Sequence, residues 1–321
     1  MTGATLAPHR TTSAARTTSA ARTGAVRAVL RLHRASLLIW TAYVVITAGL
    51  LLWMLGPGGT NAVDEMAECA RSKACDSHPA VGLYKVALLA VQWLILAPSY
   101  LLPAYAAAAL VGRELETGTA QLAWTQNVSP TRWLATKLAL AAATVTVGMT
   151  VLVLLFRTVR DNRFGIGNWS LYDPFVYHDA APLALAYPLL GLALGALAGI
   201  LLRRAMAALA TATAATAVLT YVYSLARFHF WPSVTITTSA DAPYPSGMVL
   251  STQLFSSDGT PLSVPELIRQ SRADAHTSYY IHEYHPVSHF WPLQAVETGS
   301  LLALTALAGF GAFYLLRRRT A

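Results

Sequence analysis

The sequence has 321 residues, of which 55% are hydrophobic and only 12% are charged, and its mean hydropathy is positive. So few charged residues cannot cover a soluble globule of this length, whereas a lipid bilayer requires no such cover. The composition therefore predicts an integral membrane protein. The formal net charge of +8 comes from scattered basic residues that form no single face with interleaved aromatics, which argues against nucleic-acid binding.

The amino-terminal segment has low complexity, because TTSAAR occurs twice in succession within residues 11–22. The repeat contains almost nothing apolar to bury, so a disordered tail is predicted over residues 1–24. Arg27, Arg31 and Arg34 follow at helical spacing. This spacing fits either a short basic helix on the membrane surface or an extension of the first membrane helix.

Six stretches within residues 25–321 are long and apolar enough to cross about 30 Å of hydrocarbon, which takes roughly 20 helical residues. Backbone amides in lipid must be paired within their own segment, so we expect an all-α fold with six membrane helices. The second is expected to be kinked or tilted, because it contains Pro98 and Pro103. The predicted spans are Ser36–Gly56, Leu83–Gly112, Leu134–Phe156, Ala181–Leu202, Ala205–Ala226 and Gln294–Leu316.

The distribution of charge predicts that both termini are cytoplasmic. In this orientation the cytoplasmic segments hold most of the 23 basic residues but only two of the 15 acidic ones, as the positive-inside rule requires. Residues 113–133 then form an inner loop. The extracytoplasmic loops are residues 57–82, 157–180 and 227–293, of which the last, between the fifth and sixth spans, is the largest. We expect the protein to be a multi-pass protein of the plasma membrane.

The sequence contains two cysteines, Cys69 and Cys75, and both lie in the first predicted outer loop. An oxidising compartment permits a disulfide between them, and a small loop-closing disulfide is the favoured interpretation. Spacing alone does not decide the matter, so two free thiols are the alternative.

Four histidines lie close together in the last outer loop: His276, His282, His285 and His289. His282 and His285 resemble part of a zinc-protease signature, but two histidines that share a metal on one helix must be four residues apart. We therefore expect solvated or hydrogen-bonded surface histidines. The loop as a whole is predicted to be an irregular cap with a short helix over Pro265–Ala273.

Three charged residues lie within the limits of the predicted spans: Lys85, Lys137 and Glu297. Each is near the end of its span, so its side chain can extend outward to the membrane surface. Glu297 has a second interpretation, that of lining a transport pathway, because a carboxylate that faces lipid is costly.

Sequence motifs for catalysis are missing. None of the three lysines of the chain follows a glycine, as the lysine of a phosphate-binding loop does, and no GxSxG elbow occurs. The chain is therefore predicted not to be an enzyme. No catalytic residue, cofactor or metal ligand is assigned to it.

The inner loop is polar and turn-rich, in contrast to the spans on either side. Gly118 permits a sharp reversal, after which Thr119 is expected to cap a helix of about two turns that ends near Gln126. Ser129 is expected to cap the next helix, which begins with proline. The short helix should lie parallel to the membrane and expose Trp124 to the cytoplasm, either as a protein contact or resting on lipid.

This loop resembles the cytoplasmic loop of permease subunits of type 2 ABC transporters, particularly those of actinobacteria. The similarity extends to the six-span layout and to the large outer segment before the last span. The chain departs from the pattern at Pro130, where many relatives carry a basic residue. The motifs that carry the resemblance are Glu116-x-Gly118-Thr119, Leu122–Gln126, Val128–Trp133 and Phe290-Trp291-x-x-Gln294-x-x-Glu297.

The resemblance implies that residues 25–321 form the permease domain of an ATP-driven exporter. Such permeases pair as homodimers or heterodimers and bind two separate cytoplasmic ATPase subunits, whose closure on ATP is transmitted through the short inner helix. A membrane-bound sensor or assembly factor with an extracytoplasmic ligand-binding segment has the same topology and is the alternative. The coupling residues that the resemblance implies are Glu114, Glu116, Gly118, Thr119, Trp124, Thr125, Gln126 and Arg132.

Overall fold

A computed structural model of the protein describes most of the chain. Two predictions lie outside the described residues, namely the tail over residues 1–24 and the short helix over Pro265–Ala273. The described residues are 34–72, 78–126, 128–163, 165–166, 169–179, 182–239, 242–243, 245–256, 259–262 and 279–320.

Most of the described chain is helical. The α-helices are, in chain order, α1 (Arg34–Leu55), α2 (Pro57–Ser72), α3 (Pro79–Leu96), α4 (Pro98–Tyr105), α5 (Arg113–Glu116), α6 (Thr119–Thr125), α7 (Pro130–Asn162), α8 (Pro174–Asp179), α9 (Leu183–Leu202), α10 (Ala205–Ala226) and α11 (Phe290–Thr320). A π-helix over Ala106–Gly112 joins α4 to α5, a 3-10 turn over Arg227–His229 follows α10, and another over Val287–His289 precedes α11.

Within the described residues, six helical segments are long and apolar enough to cross a membrane, which confirms the predicted number of spans. Several of them are longer than predicted, because polar residues continue the helix beyond the apolar run. The candidate spans are Arg34–Arg71, Pro79–Glu116, Pro130–Asn162, Leu183–Leu202, Ala205–His229 and Val287–Thr320.

The second span is interrupted, as its prolines predict. Pro98 begins α4, Pro103 lies inside it, and the π-helix follows directly. Proline has no backbone donor and crowds the preceding turn, and π-helical turns accommodate such local irregularity. The irregular part packs closely on α9, where a Cβ atom added to Gly191 would come within 2.6 Å of the Pro103 ring.

Helix α9 is the central helix of the bundle. It contacts α4, the π-helix, α7, α10 and α11, and most of its side chains are buried. The surrounding helices carry large apolar side chains on their outer surface, such as Ile39 at 72% exposure and Phe310 at 71%. An apolar exterior around a packed core is the arrangement that a lipid environment favours.

Because the spans cross the bundle in alternate directions, the connecting segments lie at two ends. We call the end with residues 113–133 and residues 203–204 the loop end. The opposite end, which we call the sheet end, contains α2, α8 and the segment between the fifth and sixth spans.

The prediction of an all-α fold is wrong for the segment between the fifth and sixth spans. It forms an antiparallel sheet of three described strands, β1 (Val234–Ser239), β2 (Gly247–Phe255) and β3 (Tyr279–Pro286), in the order β1-β3-β2. The strands are rich in Thr, Val, Ile and Tyr, which fit a half-buried pleated surface. The intervening polar and proline residues hide this pattern in a sequence that otherwise reads as helices.

The prediction of surface histidines is wrong for His282 and His285, which are buried. The imidazole of His282 lies between the hydroxyls of Thr238 and Thr252, each 3.0 Å from a ring nitrogen. His285 Nε2 lies 3.0 Å from the carbonyl oxygen of Phe228. Both histidines are therefore hydrogen-bonded, and they join the strands to one another and to the bundle; His276 lies outside the described residues.

Candidate functional site

Residues 113–133 turn sharply at the loop end. Gly118 has a φ of 74°, in the left-handed region that glycine adopts without strain, which confirms the predicted reversal. Gly118 itself occupies the cap position of α6, so the prediction that Thr119 caps this helix is wrong. Thr119 is the first helical residue, and its hydroxyl lies 3.1 Å from that of Thr117.

The start of α7 agrees with the sequence prediction. Ser129 Oγ accepts a hydrogen bond from the backbone N–H of Arg132 at 3.3 Å, and Pro130 is the first residue of the helix. Proline loses nothing there, because the first helical N–H has no partner within the helix. The side chain of Arg132 is exposed.

Glu114 connects α5 to α7. Its carboxylate pairs with the ammonium of Lys137 and accepts a hydrogen bond from Trp133 Nε1 at 3.1 Å. Lys137 Nζ also donates to the carbonyl oxygen of Leu110, in the π-helix, at 3.0 Å. The prediction that Lys137 extends outward is therefore wrong: its ammonium is buried between two helices, where a carboxylate partner offsets part of the cost of desolvation. Lys85, by contrast, is exposed.

Glu116 connects the same short helix to α10. Its Oε2 accepts a hydrogen bond from the backbone N–H of Ala205, the first residue of α10, at 2.9 Å. The preceding residue, Arg204, makes no side-chain cap. A carboxylate at this position satisfies a free N–H group and interacts favourably with the helix dipole. Two glutamates on one turn thus bind two different spans.

Trp124 is not exposed as predicted. It is half-buried and packs edge-on against Trp133 of α7, with ring centroids 5.9 Å apart. Its indole Nε1 is enclosed and has no hydrogen-bond partner. The aromatic surface of Trp133 holds the ring because edge-to-face pairs add to the free energy of apolar burial.

The outer surface of α6 carries a different apolar residue. Leu122 is 62% exposed. Polar exposed side chains surround it in the sequence. They are Gln121, Thr125 and Gln126. An exposed leucine within a polar rim is the pattern of a small protein contact.

Glu297 lies at the sheet end and is fully buried. Its Oε1 accepts hydrogen bonds from the Tyr187 hydroxyl at 2.7 Å and from Arg227 Nη2 at 3.1 Å, and its Oε2 accepts one from Arg227 Nε at 2.9 Å. The prediction that this side chain extends outward is wrong, because a buried guanidinium offers it a partner. Its pathway role stays a prediction.

Cys69 takes part in a disulfide. Cys75, the other cysteine of the sequence, lies outside the described residues. The pairing of the two stays a prediction.

A family model described as "ABC-2 membrane transporter related" matches residues 41–227, which is more than half of the chain. The chain belongs to this family. It is therefore an ABC-2 type permease, a multi-pass membrane component of a transport system, and the match includes the whole of residues 113–133. Neither the curated proteins nor the solved structures yielded a match.

In this ABC-2 permease, sequence reasoning missed the partners of the loop. Lys137, Trp133 and the amide of Ala205 bind the two glutamates, and Leu122 is the exposed apolar residue. One signal was present in the sequence: an acid at the end of one span and a lysine near the start of the next can meet, because an antiparallel pair of helices brings these ends together. The cap on Ala205 had no comparable signal.

Proposed function

We propose that this permease is the membrane half of an ATP-driven exporter and that α6 is the element through which separate cytoplasmic ATPase subunits act on it. The complex contains a second permease subunit and lies in the plasma membrane. Both termini and the loop end face the cytoplasm. The observation that carries the proposal is that the inner side of residues 113–133 is bonded to two spans while the outer side of α6 is free.

The outer side of α6 supports the assignment of a protein partner. Burying a leucine side chain contributes about 1.5–3 kcal/mol, and Leu122 offers most of its surface for this purpose. Arg113 and Arg132, near the two ends of the loop, are also exposed. A partner with an apolar pocket and an acidic rim matches this surface, and charge complementarity would set its orientation.

The inner side provides a mechanical route from such a partner to the spans. A displacement of α6 pulls on α5 across the single turn at Gly118. Glu114 then transmits it to α7 through Lys137, and Glu116 transmits it to the start of α10. ATP binding by the partner would in this way favour one of two arrangements of the spans.

The remaining coupling residues have structural roles in the proposal. Gly118 is the turn that only glycine makes without strain. Thr119 and Thr125 lie at the two ends of α6, and Gln126 and Arg132 remain available to the partner. Trp124 fixes α6 to α7 from within and does not itself need to contact the ATPase.

Capture of the ATPase tests the proposal. The full-length permease is co-expressed with the ABC ATPase of its own gene cluster and purified through a tag on the permease. We expect the ATPase to co-purify and Leu122→Asp to reduce its capture at least tenfold, because a charge in an apolar pocket is costly. Leu250→Asp is the matched control, since Leu250 is also exposed but lies in β2 at the other end of the bundle.

Unchanged capture by Leu122→Asp, or equal losses in both variants, would contradict the assigned surface. Membrane insertion of each variant is checked by its yield in the detergent extract.

A further inference from the structure

A second group of buried polar side chains lies at the sheet end, on the short helix α8. His178 and Asp179 are both buried, and Asp179 has no exposed surface. His178 Nδ1 lies 2.7 Å from Asp179 Oδ1. Neither residue belongs to the loop site, and the proposed function does not use them.

This pair has two polar atoms that no protein group satisfies. Asp179 Oδ2 and His178 Nε2 are enclosed and have no hydrogen-bond partner. When the imidazole is neutral and donates from Nδ1, both of these atoms are acceptors and the carboxylate carries one negative charge. Burial of an uncompensated charge is costly, so the enclosed pair has a strong requirement for one added positive charge.

The surrounding groups do not supply that charge. The guanidinium of Arg227 is bound to both oxygens of Glu297, so this neighbouring pair is neutral by itself. The Tyr187 ring of α9 lies 5.5 Å from the His178 ring, and Tyr43 of α1 is also near enough to interact with Asp179. Asp173, just before α8, adds a further negative charge. The second span packs on α8 through Trp93, which contacts Phe175 and is uncharged.

Helix α8 is held in place by contacts on several sides. Gln294 of α11 donates to the carbonyl oxygen of Tyr177 at 2.6 Å, and the Tyr177 ring packs on Phe290 with centroids 5.6 Å apart. Tyr172, just before the helix, donates to the carbonyl oxygen of Pro286 at 2.7 Å. The position of α8 thus bears on the second span, on α11 and on the end of β3.

We propose that His178 and Asp179 form a binding site for one proton, and that this proton stabilises the position of α8 within the bundle. With the proton, the pair is neutral whether the proton resides on the imidazole or on the carboxyl group. Without it, the enclosed negative charge favours displacement of α8 toward solvent. The site does not depend on the proposed ATPase coupling, so either can fail without the other.

The electrostatics of Asp179 agree with this site. Burial raises the pKa of Asp179 from 3.8 to about 6, the hydrogen bond and charge of His178 oppose the rise, and Asp173 adds to it. A carboxyl group whose pKa is higher in the closed arrangement stabilises that arrangement below its ordinary pKa and loses this effect as the pH rises through about 6. Opening should therefore increase roughly tenfold between pH 5 and pH 7.5.

Amide hydrogen exchange of the full-length permease in lipid nanodiscs tests the proposal. The rates for a peptide that covers α8 are measured at pH 5 and pH 7.5 and corrected for the intrinsic pH dependence of exchange. We expect protection to fall about tenfold at the higher pH. Asp179→Asn, which imitates the protonated carboxyl group, should remain protected at both values.

Two further variants separate a proton site from a merely structural role. His178→Gln should move the midpoint of the transition to higher pH, because the imidazole lowers the pKa of Asp179. Asp161→Asn, in an exposed acid at the end of α7, should leave the transition unchanged. A wild-type protein without a transition, or a transition that persists in Asp179→Asn, would overturn the proposal.

Discussion

Each end of the bundle has one ion pair between helices, and the two pairs differ in how completely they are enclosed. At the sheet end, Glu297 has no exposed side-chain surface and both of its oxygens are bound. At the loop end, the side chain of Glu114 keeps 19% exposure although that of Lys137 keeps only 2%. Water therefore reaches one carboxylate and not the other.

The difference indicates which joint can move. Breaking an enclosed pair leaves a buried charge without a partner, whereas a carboxylate at the surface can exchange its partner for water. The sheet-end pair is thus a fixed joint between α9, α10 and α11. The loop-end pair is a joint that a force on α6 can rearrange, as the proposed coupling requires.

The largest expected effect is from Glu297→Gln. The substitution leaves Arg227 buried without a counter-charge, and it should lower the free energy of unfolding by about 3–5 kcal/mol. Thermal unfolding of the detergent-solubilised protein measures the change. Glu68→Gln, in an exposed glutamate of α2, is the control and should change stability by less than about 0.5 kcal/mol.

The double variant Arg227→Met with Glu297→Met sharpens this prediction. Apolar side chains in place of both charges remove the unpaired group, so much of the lost stability should return. A double variant as unstable as Glu297→Gln would mean that the pair itself, and not its enclosure, determines stability.

A smaller effect is expected from Glu114→Gln, about 1–3 kcal/mol under the same conditions. The amide oxygen can still accept the hydrogen bond of Trp133, and the partial exposure of this position allows water to solvate Lys137. Stability losses of equal size for Glu114→Gln and Glu297→Gln would remove the distinction between a fixed and a movable joint.

Glu116→Ala should cost about 1 kcal/mol, the usual effect of losing a helix cap. The loss should be local, because only the first turn of α10 depends on this carboxylate. Faster amide exchange at the start of α10, without a change at its other end, is the expected result. Thr117→Ala, one residue further along the chain, serves as the control.

Trp124→Ala should have the smallest effect on overall stability but a measurable one on the partner. Removing the ring frees α6 from Trp133, so capture of the ATPase should weaken, though less than in Leu122→Asp, while membrane insertion is retained. Unchanged capture by Trp124→Ala would mean that the packing of the two tryptophans does not position α6.

The spans could be predicted from the sequence, and much of the loop-end site could not. Apolar runs of about 20 residues determine helices in lipid whatever their neighbours, and Gly118 and Ser129 act through their own backbone or side chain. The packing of Trp124 depends on Trp133, and the capping role of Glu116 depends on Ala205, which lies far along the chain. Such partners are set by packing and not by local sequence.

The sheet escaped prediction for a related reason. The strands β1, β2 and β3 are short, and β1 pairs with β3 across a long intervening segment. Their pattern of Thr, Val and Tyr becomes meaningful only when the strands are brought together. The buried His282 shows this directly, since its two hydroxyl partners come from the neighbouring strands.

Labelling of introduced cysteines tests the central claim, that α6 faces the cytosol as the handle of an ATPase. Leu122→Cys and Thr237→Cys place a thiol on exposed positions at the loop end and the sheet end. A membrane-impermeant maleimide added to intact cells should label Thr237→Cys and should label Leu122→Cys only after the cells are opened. Labelling of Leu122→Cys from outside intact cells would contradict the account.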